Sequence, residues 1–220
     1  MVAPKTTTSL LKEERKARRI RKRKAEIVSA AKSVFLTEEY KDVTMERLAR
    51  AADISKATLY LYFKTKSDIY HDLLVSDLQL LIDDIVGAED EALSAPQVLM
   101  AKAWKYADFF QSHTEYFSRL SFYYYPGRAE RLAEDVAREI ERLIVVALRS
   151  IEATIARGTA AGELRSLNPW ATAVALWALW EGAAQAAATG RTVRFDLELR
   201  KIVEAGMSAM IKGIRKTNRI

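Results

Sequence analysis

The stretch T-M-E-R-L-A-R-A-A-D-I-S-K-A-T-L-Y-L-Y-F, from Thr44 to Phe63, decides how the N-terminal part of this chain folds. It is typical of two short helices joined by a tight turn. Thr44 and Ser55 stand where a hydroxyl can cap the start of each helix. Leu59 and Phe63 lie four residues apart, so they share the inward side of the second helix. The pattern predicts a helix-turn-helix whose second helix can enter a DNA groove.

The same stretch resembles the DNA-binding unit of the TetR-type one-component transcriptional repressors. That unit runs Thr, three residues, Ile or Leu, Ala, two residues, Ala-Gly-Val-Ser, then a short helix ending Leu-Tyr-x-His-Phe, then Lys and an apolar residue three further on. The matching residues here are Thr44, Leu48, Ala49, Ala52, Ile54, Ser55, Leu59, Tyr60, Phe63, Lys66 and Ile69. The resemblance is close over about residues 20 to 70. Beyond them only the general order of helices resembles the family.

Two positions depart from the family pattern. Asp53 stands where a turn glycine is usual, and Tyr62 stands where a histidine is usual. Because Asp tolerates the left-handed backbone better than most residues, we expect the turn to form at a small cost. Tyr62 keeps a polar tip that can reach a phosphate.

The resemblance also implies which residues contact DNA. Lys56, Ala57, Thr58 and Leu61 would lie nearest the bases, where Lys56 can donate to guanine and Thr58 or Leu61 can meet a thymine methyl group. The complete set of predicted DNA-binding residues is Arg23, Thr44, Ser55, Lys56, Ala57, Thr58, Tyr60, Leu61, Tyr62, Lys64 and Lys66.

The net charge of +6 is unevenly distributed along the chain. Residues 1–68 hold 17 Lys and Arg against 9 Asp and Glu, a balance of +8, whereas residues 69–220 hold 18 against 20, a balance of −2. A basic surface beside the helix-turn-helix attracts the phosphate backbone and orients the protein, but it carries little sequence choice. Base choice must therefore come from the second helix of the motif.

The densest basic run, from Arg15 to Lys24, precedes the first core helix. It is either an arm that follows the DNA backbone or enters a minor groove, or a solvated tail or frayed helix extension. A helical apolar pattern begins at about Arg18. We therefore divide the chain into a basic arm (1–17), a helix-turn-helix domain (18–68), and a helical effector-binding and dimerisation domain (69–220).

The rest of the chain is predicted to be helical, because it has caps and prolines but no sustained alternating pattern. Thr65 and Asp68 form a capping box that opens a helix to about Ala92. The further helices are predicted from Ser94 and Pro96 to about Gln111, from Thr114 to before Pro126, from about Arg128 to Arg157, from Asn168 and Pro169 to about Ala188, and from near Asp196. The predicted fold class is all-α.

Two of these helices are apolar on too many sides for the surface of a monomer. In TetR-type proteins the last two helices pair with the same helices of a second subunit as a four-helix bundle, and these helices resemble that pair. The alternative is an internal bundle core without dimerisation. The predicted dimerisation residues are Trp170, Val174, Gly182, Ile202, Met207, Met210 and Ile214.

The middle helices carry many aromatic residues, in the region that encloses the effector cavity in the family. Aromatic walls with hydroxyl tips suit an apolar or amphipathic small molecule, although each single ring is more often ordinary core. Glu181 lies on a very apolar helix, so its carboxylate must be paired, protonated or placed for a cationic ligand. The alternative interpretation is that Glu181 lies at the edge of the bundle, where it faces water or an Arg of the partner subunit. The predicted effector-binding residues are Trp104, Phe109, Phe110, Tyr116, Phe117, Tyr123, Tyr124, Trp177 and Glu181.

Composition excludes several classes of site. The chain has no cysteine, which rules out disulfides and thiolate metal sites and indicates a reducing cytoplasm. Its two histidines are 42 positions apart, so we expect no metal centre and no cofactor. No signal peptide or membrane-spanning run is visible, and no glycine-rich phosphate loop or nucleophile elbow indicates an enzyme.

Together these features predict a ligand-responsive transcriptional regulator, most consistent with a repressor. It would bind a palindromic double-stranded DNA operator as a homodimer, be released by a small apolar or aromatic effector, and have no membrane partner. The alternatives are an architectural DNA-binding protein without an effector and an all-helical lipid-binding or small-molecule-binding protein.

Overall fold

The computed structural model describes the backbone of residues 7–113, 134–191 and 196–216, and their side chains from residue 12 onward. Every regular element in these ranges is a helix, and the only extended pairing they contain is a single antiparallel bridge between Leu164 and Arg215. The predicted all-α fold is confirmed. The chain divides into two compact units, an N-terminal unit of residues 1–74 and a C-terminal unit of residues 75–220.

The helices are numbered here in chain order. They are α1 (Thr7–Thr37), α2 (Met45–Ala51), α3 (Lys56–Tyr60), α4 (Lys66–Gly87), α5 (Ala95–Ser112), α6 (Glu134–Ala160), α7 (Pro169–Ala188) and α8 (Leu199–Ile214). The short aromatic helix predicted from Thr114, and the start predicted at Arg128, lie outside the described residues.

The N-terminal unit packs α1, α2, α3 and the first part of α4 around one core. Ile27, Leu48, Leu59, Phe63 and Ile69 are all at most 2% exposed and fill the space between these helices. Burying five large apolar side chains stabilises a unit of this size by roughly 1.5–3 kcal/mol each before the entropy of ordering is subtracted. This core fixes the angle at which α3 is held.

The first helix is longer than the sequence pattern indicated. It begins at Thr7 rather than near Arg18, so it includes most of the predicted basic arm. The stretch from Thr7 to Thr37 contains neither glycine nor proline, and Lys and Arg have good helix propensity. Apolar periodicity, which marked the predicted start, reports only the part of the helix that contacts a core.

Caps set the starts of α4 and α7 as predicted. The Thr65 hydroxyl accepts the Asp68 N–H at 3.2 Å, and the Asp68 carboxylate accepts the Thr65 N–H at 2.9 Å, which completes the capping box of α4. Asn168 accepts the Ala171 N–H at 3.0 Å at the start of α7. The prediction for the end of α4 was wrong: the helix stops at Gly87 rather than near Ala92.

In the C-terminal unit, α5 packs against α6, α7 and α8, and α6 packs against α7. The crossing of α5 and α6 is close at Gly158, where an added Cβ would stand 2.4 Å from the Cβ of Ala95. Tyr106, Trp180 and Met207 are each at most 1% exposed at the centre of this helix group. The indole N–H of Trp180 points at the Met207 sulfur, with the two atoms 3.1 Å apart.

Candidate DNA-binding surface and effector region

The outer side of α3 presents the predicted base-contacting residues to solvent. Lys56, Ala57 and Leu61 are exposed, and Leu61 leaves 82% of its surface open. Leu59 and Phe63 lie on the opposite side and are buried. The helix is therefore held by its inner side, while its outer side is available to a base-pair edge.

The hydroxyl residues near α2 and α3 act first as caps. Thr44 accepts the Arg47 N–H at 3.2 Å, and Ser55 accepts the Thr58 N–H at 3.0 Å. The hydroxyl oxygens of Ser55 and Thr58 are also 2.8 Å apart and share a hydrogen bond. These side chains fix the two helix starts that the sequence predicted.

Asp53 occupies the turn between α2 and α3 in the left-handed conformation, with a φ of 51°. Its N–H donates to the Arg50 carbonyl at 3.2 Å, and the Ile54 N–H donates to the Ala49 carbonyl at 3.0 Å. The prediction that Asp53 would adopt the conformation of the usual glycine is confirmed. A non-glycine residue pays a conformational cost there, which is smaller for Asp than for branched side chains.

The cationic side chains of the N-terminal unit differ in their availability to phosphate. Lys56 and Lys64 are exposed. Arg23 is half-exposed and lies 2.7 Å from the Glu26 carboxylate, a surface pair weak enough to exchange for a phosphate. Arg47 lies 2.7 Å from the Glu38 carboxylate, which ties α2 to the end of α1.

Tyrosines flank the exposed face of α3. Tyr60 is 45% exposed, and Tyr62 is half-buried. Both positions are consistent with hydroxyl groups at the edge of a DNA contact surface.

Lys66 is placed differently from the other predicted DNA-binding residues. Its ammonium donates to the carbonyls of Tyr40, Lys41 and Val43, within the chain. All three donors of this ammonium therefore already have acceptors within the chain, and its contact with the DNA backbone stays a prediction.

The described aromatic residues predicted for the effector site lie mainly in the core of the C-terminal unit. Phe109, Phe110 and Trp177 are at most 7% exposed. Trp177 meets the Tyr106 ring edge to face, with centroids 5.5 Å apart, and Phe109 stacks on His113 at 4.1 Å. These contacts fit the core interpretation of each ring. Tyr116, Phe117, Tyr123 and Tyr124 lie outside the described residues.

Trp104 differs from these core rings because it is 37% exposed. The Arg200 guanidinium lies 5.5 Å from the centre of its ring and 2.5 Å from an oxygen of Asp108. The ring therefore lies at the surface where α5 meets α8.

Glu181 is exposed in the single chain, yet the apolar residues around it partly remove its carboxyl group from water. This burial raises the pKa of Glu181 above its ordinary value. A carboxyl group with this property gains from a cationic neighbour or from holding a proton.

The predicted dimerisation residues fall into two groups. Val174 and Gly182 are exposed, and nothing lies within 4 Å of a Cβ added at Gly182. Trp170, Ile202, Met210 and Ile214 are half-buried in the single chain, and the Arg149 guanidinium covers the Trp170 ring at 4.3 Å. Met207 differs from both groups, because it is 0% exposed and packs within the chain against Trp180.

A buried charge on α5 was not predicted. Lys102 is 0% exposed, and its ammonium lies 3.0 Å from the Glu89 carboxylate while donating to the Ile85 carbonyl and the Ser150 hydroxyl. Glu89 also accepts from Thr154 at 2.6 Å. A signal was available, because Lys102 sits four residues after Val98 on the apolar stripe of α5.

One groove among the described residues has the volume of a small-molecule site, about 340 Å³. It is open to solvent and lies between the first turns of α5 and the last turns of α8. Its lining residues are Pro96, Gln97, Met100, Ser208, Ile211, Lys212 and Arg215. The described residues predicted to bind an effector do not line it.

The described residues lack two further features. None of their helices combines the length and apolar character needed to cross a bilayer. They also hold no cluster of three or more His, Asp or Glu side chains suited to a metal ion.

Comparisons with known proteins agree with this arrangement. Residues 27–73 match the family model of bacterial regulatory proteins of the tetR family. The HTH-type transcriptional regulator YhgD of Bacillus subtilis (strain 168) is 24% identical over 161 residues, covering 72% of this chain and 80% of that protein.

Solved structures share the fold over most of the chain. A TetR/AcrR-family regulator from Thermobifida fusca superposes with a TM-score of 0.69 at 19% identity, covering 87% of this chain and 98% of that one. The transcriptional regulator FadR from Bacillus subtilis, in complex with stearoyl-CoA, superposes with a TM-score of 0.66 at 17% identity, covering 86% and 98%.

Proposed function

We propose that this chain, whose residues 27–73 match the tetR family model, is a repressor of that family that binds a palindromic operator as a homodimer and leaves DNA when a small apolar or aromatic effector binds. The observation that carries the DNA-binding part is the exposed outer side of α3, held by a buried inner side. The other parts rest on the surfaces of α7 and α8 and on the aromatic content of α5 and α7.

In this proposal α3 enters the major groove. Lys56 donates to a guanine edge, and Thr58 or the exposed Leu61 contacts a thymine methyl group, because a methyl or other apolar group can read a thymine methyl. Thr44, Tyr60, Tyr62 and Lys64 lie around this face and contact the phosphate backbone. The basic balance of the first 68 residues then supplies affinity that falls steeply with salt.

The surface of α7 supports dimerisation. Ala171, Val174, Ala175 and Ala178 are exposed and recur three or four residues apart, so they form one stripe of small apolar side chains. Small residues let two helices approach closely, and an isologous pair of such stripes produces the two-fold symmetry that a palindrome requires. A glutamate in place of Val174 would put an unpaired charge in this stripe and is expected to shift the protein to monomers in analytical ultracentrifugation.

The aromatic residues of α5 and α7 support an apolar effector. Tyr106 of α5 contacts Trp177 and Trp180 of α7 in one buried group of rings. Because the rings touch, a small shift of one helix displaces the other. FadR of Bacillus subtilis was solved with stearoyl-CoA, and a long acyl chain is the apolar ligand class that we propose to test first for this chain.

The end of α4 provides a way for the effector to act on DNA binding. The Lys102 ammonium on α5 donates to the Ile85 carbonyl in the last turn of α4 and to the Ser150 hydroxyl on α6, so it links the three helices. A movement of α5 or α6 on effector binding would therefore move the end of α4, the helix that begins in the N-terminal unit. Two half-sites about 34 Å apart tolerate little change in spacing, so a small pivot misplaces several phosphate contacts.

The test is a gel-shift titration with an operator selected from a random duplex pool, at several salt concentrations, with and without stearoyl-CoA. We expect binding to a two-fold symmetric sequence, with a steep salt dependence, and release by the acyl compound. Leu61→Ala should lower affinity for the selected operator while leaving affinity for random duplex unchanged. Equal binding to selected and random duplexes by the unaltered protein would contradict the regulator model and favour an architectural DNA-binding protein.

A further inference from the structure

Lys66 lies at the first position of α4, and its ammonium is surrounded by main-chain acceptors. The Nζ atom is 2.7 Å from the Tyr40 carbonyl oxygen, 2.9 Å from that of Val43 and 3.2 Å from that of Lys41. A lysine ammonium has three N–H donors, and each has one acceptor here. A phosphate could bind this group only by displacing a carbonyl.

Lys66 places a positive charge at the N-terminus of its own helix, α4. A positive charge at a helix N-terminus is opposed by the partial positive charge of the exposed N–H groups. The carbonyl cage offsets that cost, since charge-assisted hydrogen bonds are about twice as strong as neutral ones. Lys66 is also half-buried, whereas Lys64, two residues earlier, is exposed.

Aromatic contacts reinforce the cage. The Lys66 ammonium lies 4.6 Å from the centre of the Tyr40 ring, which adds a cation–π attraction. The Tyr40 ring contacts Phe35 of α1 at 6.2 Å and Tyr70 of α4 at 5.0 Å between centroids. The segment between α1 and α2 is therefore held to α4 by both its carbonyls and its aromatic side chain.

This segment leads directly into the DNA-binding motif. Val43, whose carbonyl is in the cage, is followed by Thr44, whose hydroxyl caps α2 through the Arg47 N–H. α2 in turn packs against α3. A shift of the caged carbonyls would therefore move the start of α2 and, through it, the exposed face of α3.

From these contacts we infer that Lys66 is a positioning residue of the DNA-binding unit: it clamps residues 40–43 and so sets the angle of α2 and α3, and it does not neutralise a phosphate. This inference rests on the proposed binding of duplex DNA. It differs from the role expected from the family resemblance, in which Lys66 contacts the backbone of the operator.

Salt dependence of duplex binding separates the two roles. Each phosphate contact contributes about 0.9 to the slope of log affinity against log salt. Lys66→Met should lower affinity by on the order of tenfold at every salt concentration and leave the slope unchanged, because a misaligned α3 loses fit rather than one ion contact. Lys64→Met is the matched control and should lower the slope by about 0.9.

A conservative variant and a measurement without DNA complete the test. Lys66→Gln keeps two N–H donors without charge, so it should recover part of the affinity lost in Lys66→Met with an unchanged salt slope. A lysine that neutralises a phosphate would lose its ionic contact in this variant, and the slope would fall. Amide hydrogen exchange of the free protein should become faster in Lys66→Met at Asp42 and Val43, whose N–H groups donate to the Glu39 carbonyl.

Two results would overturn the clamp: a slope reduced by about 0.9 in both Lys66 variants, or unchanged exchange at residues 42–47 in Lys66→Met. If the unaltered protein binds no duplex at all, the proposed function fails instead. The exchange measurement still decides the clamp in that case, because it requires no DNA.

Discussion

Removing Glu89 from its ion pair with the buried Lys102 should destabilise the protein more than removing Lys102. Lys102 is 0% exposed, and the side chain of Glu89 is 35% exposed. Glu89→Gln would leave a charged ammonium in the interior without its counter-charge. Lys102→Met would take the ion out of the interior and leave a partly solvated carboxylate that still has Arg157 3.1 Å away.

The magnitudes follow from these contacts. Breaking a fully buried pair by removing one partner costs about 3–5 kcal/mol, and water at the exposed third of Glu89 reduces this to roughly 2 kcal/mol for Glu89→Gln. Lys102→Met loses the hydrogen bond to the Ile85 carbonyl, which costs about 1 kcal/mol, but it also removes the desolvated charge. The double variant should be less destabilised than Glu89→Gln alone.

Thermal unfolding followed by tryptophan fluorescence is the suitable assay. All four tryptophans lie in the C-terminal unit, so the signal reports the unit that contains the pair. Thermal midpoints should fall by about 4–8 °C for Glu89→Gln and by about 2–4 °C for Lys102→Met. A larger loss in Lys102→Met than in Glu89→Gln would refute the reasoning, because the attraction would then outweigh the cost of burying the ammonium.

The acid side of the stability profile gives an independent check. Burial alone would raise the pKa of Glu89, but the hydrogen bonds and charges of Thr154, Lys102 and Arg157 outweigh it and lower the pKa below the ordinary 4.5. The stability that this carboxylate contributes is therefore present above pH 4.5 and is lost as the pH falls through its lowered pKa. Glu89→Gln should lack this part of the pH dependence, whereas Lys102→Met should shift its midpoint upward.

Three further outcomes are expected. Lys56→Ala should change which operator variants bind best, whereas Tyr62→Phe should weaken all sequences alike; parallel losses in binding arrays would contradict the assignment of Lys56 to bases. Asp53→Gly should raise the thermal midpoint slightly, because glycine adopts the left-handed conformation without the cost that Asp53 pays. Asp53→Val should lower stability by about 1–2 kcal/mol, and equal stabilities of the two variants would exclude strain at this turn. Gly158→Ala should destabilise the C-terminal unit by at least 1 kcal/mol, because the new Cβ meets Ala95, and an unchanged urea midpoint would show that α5 and α6 can separate.

The sequence alone predicted the role of a residue correctly wherever that residue contacts its neighbours along the chain. Thr44, Ser55 and Asn168 cap helices through N–H groups three residues away, so their roles follow from spacing alone. Asp53 takes its left-handed conformation for a similarly local reason. The long basic start of α1 was missed because apolar periodicity marks contact with a core, and a helix can extend beyond that contact.

The amino-acid order by itself determined the helix-turn-helix, its caps, its outward face and the basic balance around it, because these depend on interactions within a few residues and on charge counts. Only the tertiary structure decided what Lys66, Lys102 and Met207 do. Lys66 meets carbonyls 23 to 26 positions earlier, and Met207 meets Trp180 across 27 positions. Such contacts depend on how helices pack, which no local pattern encodes, so a lysine that a motif places on DNA can instead serve the chain that carries it.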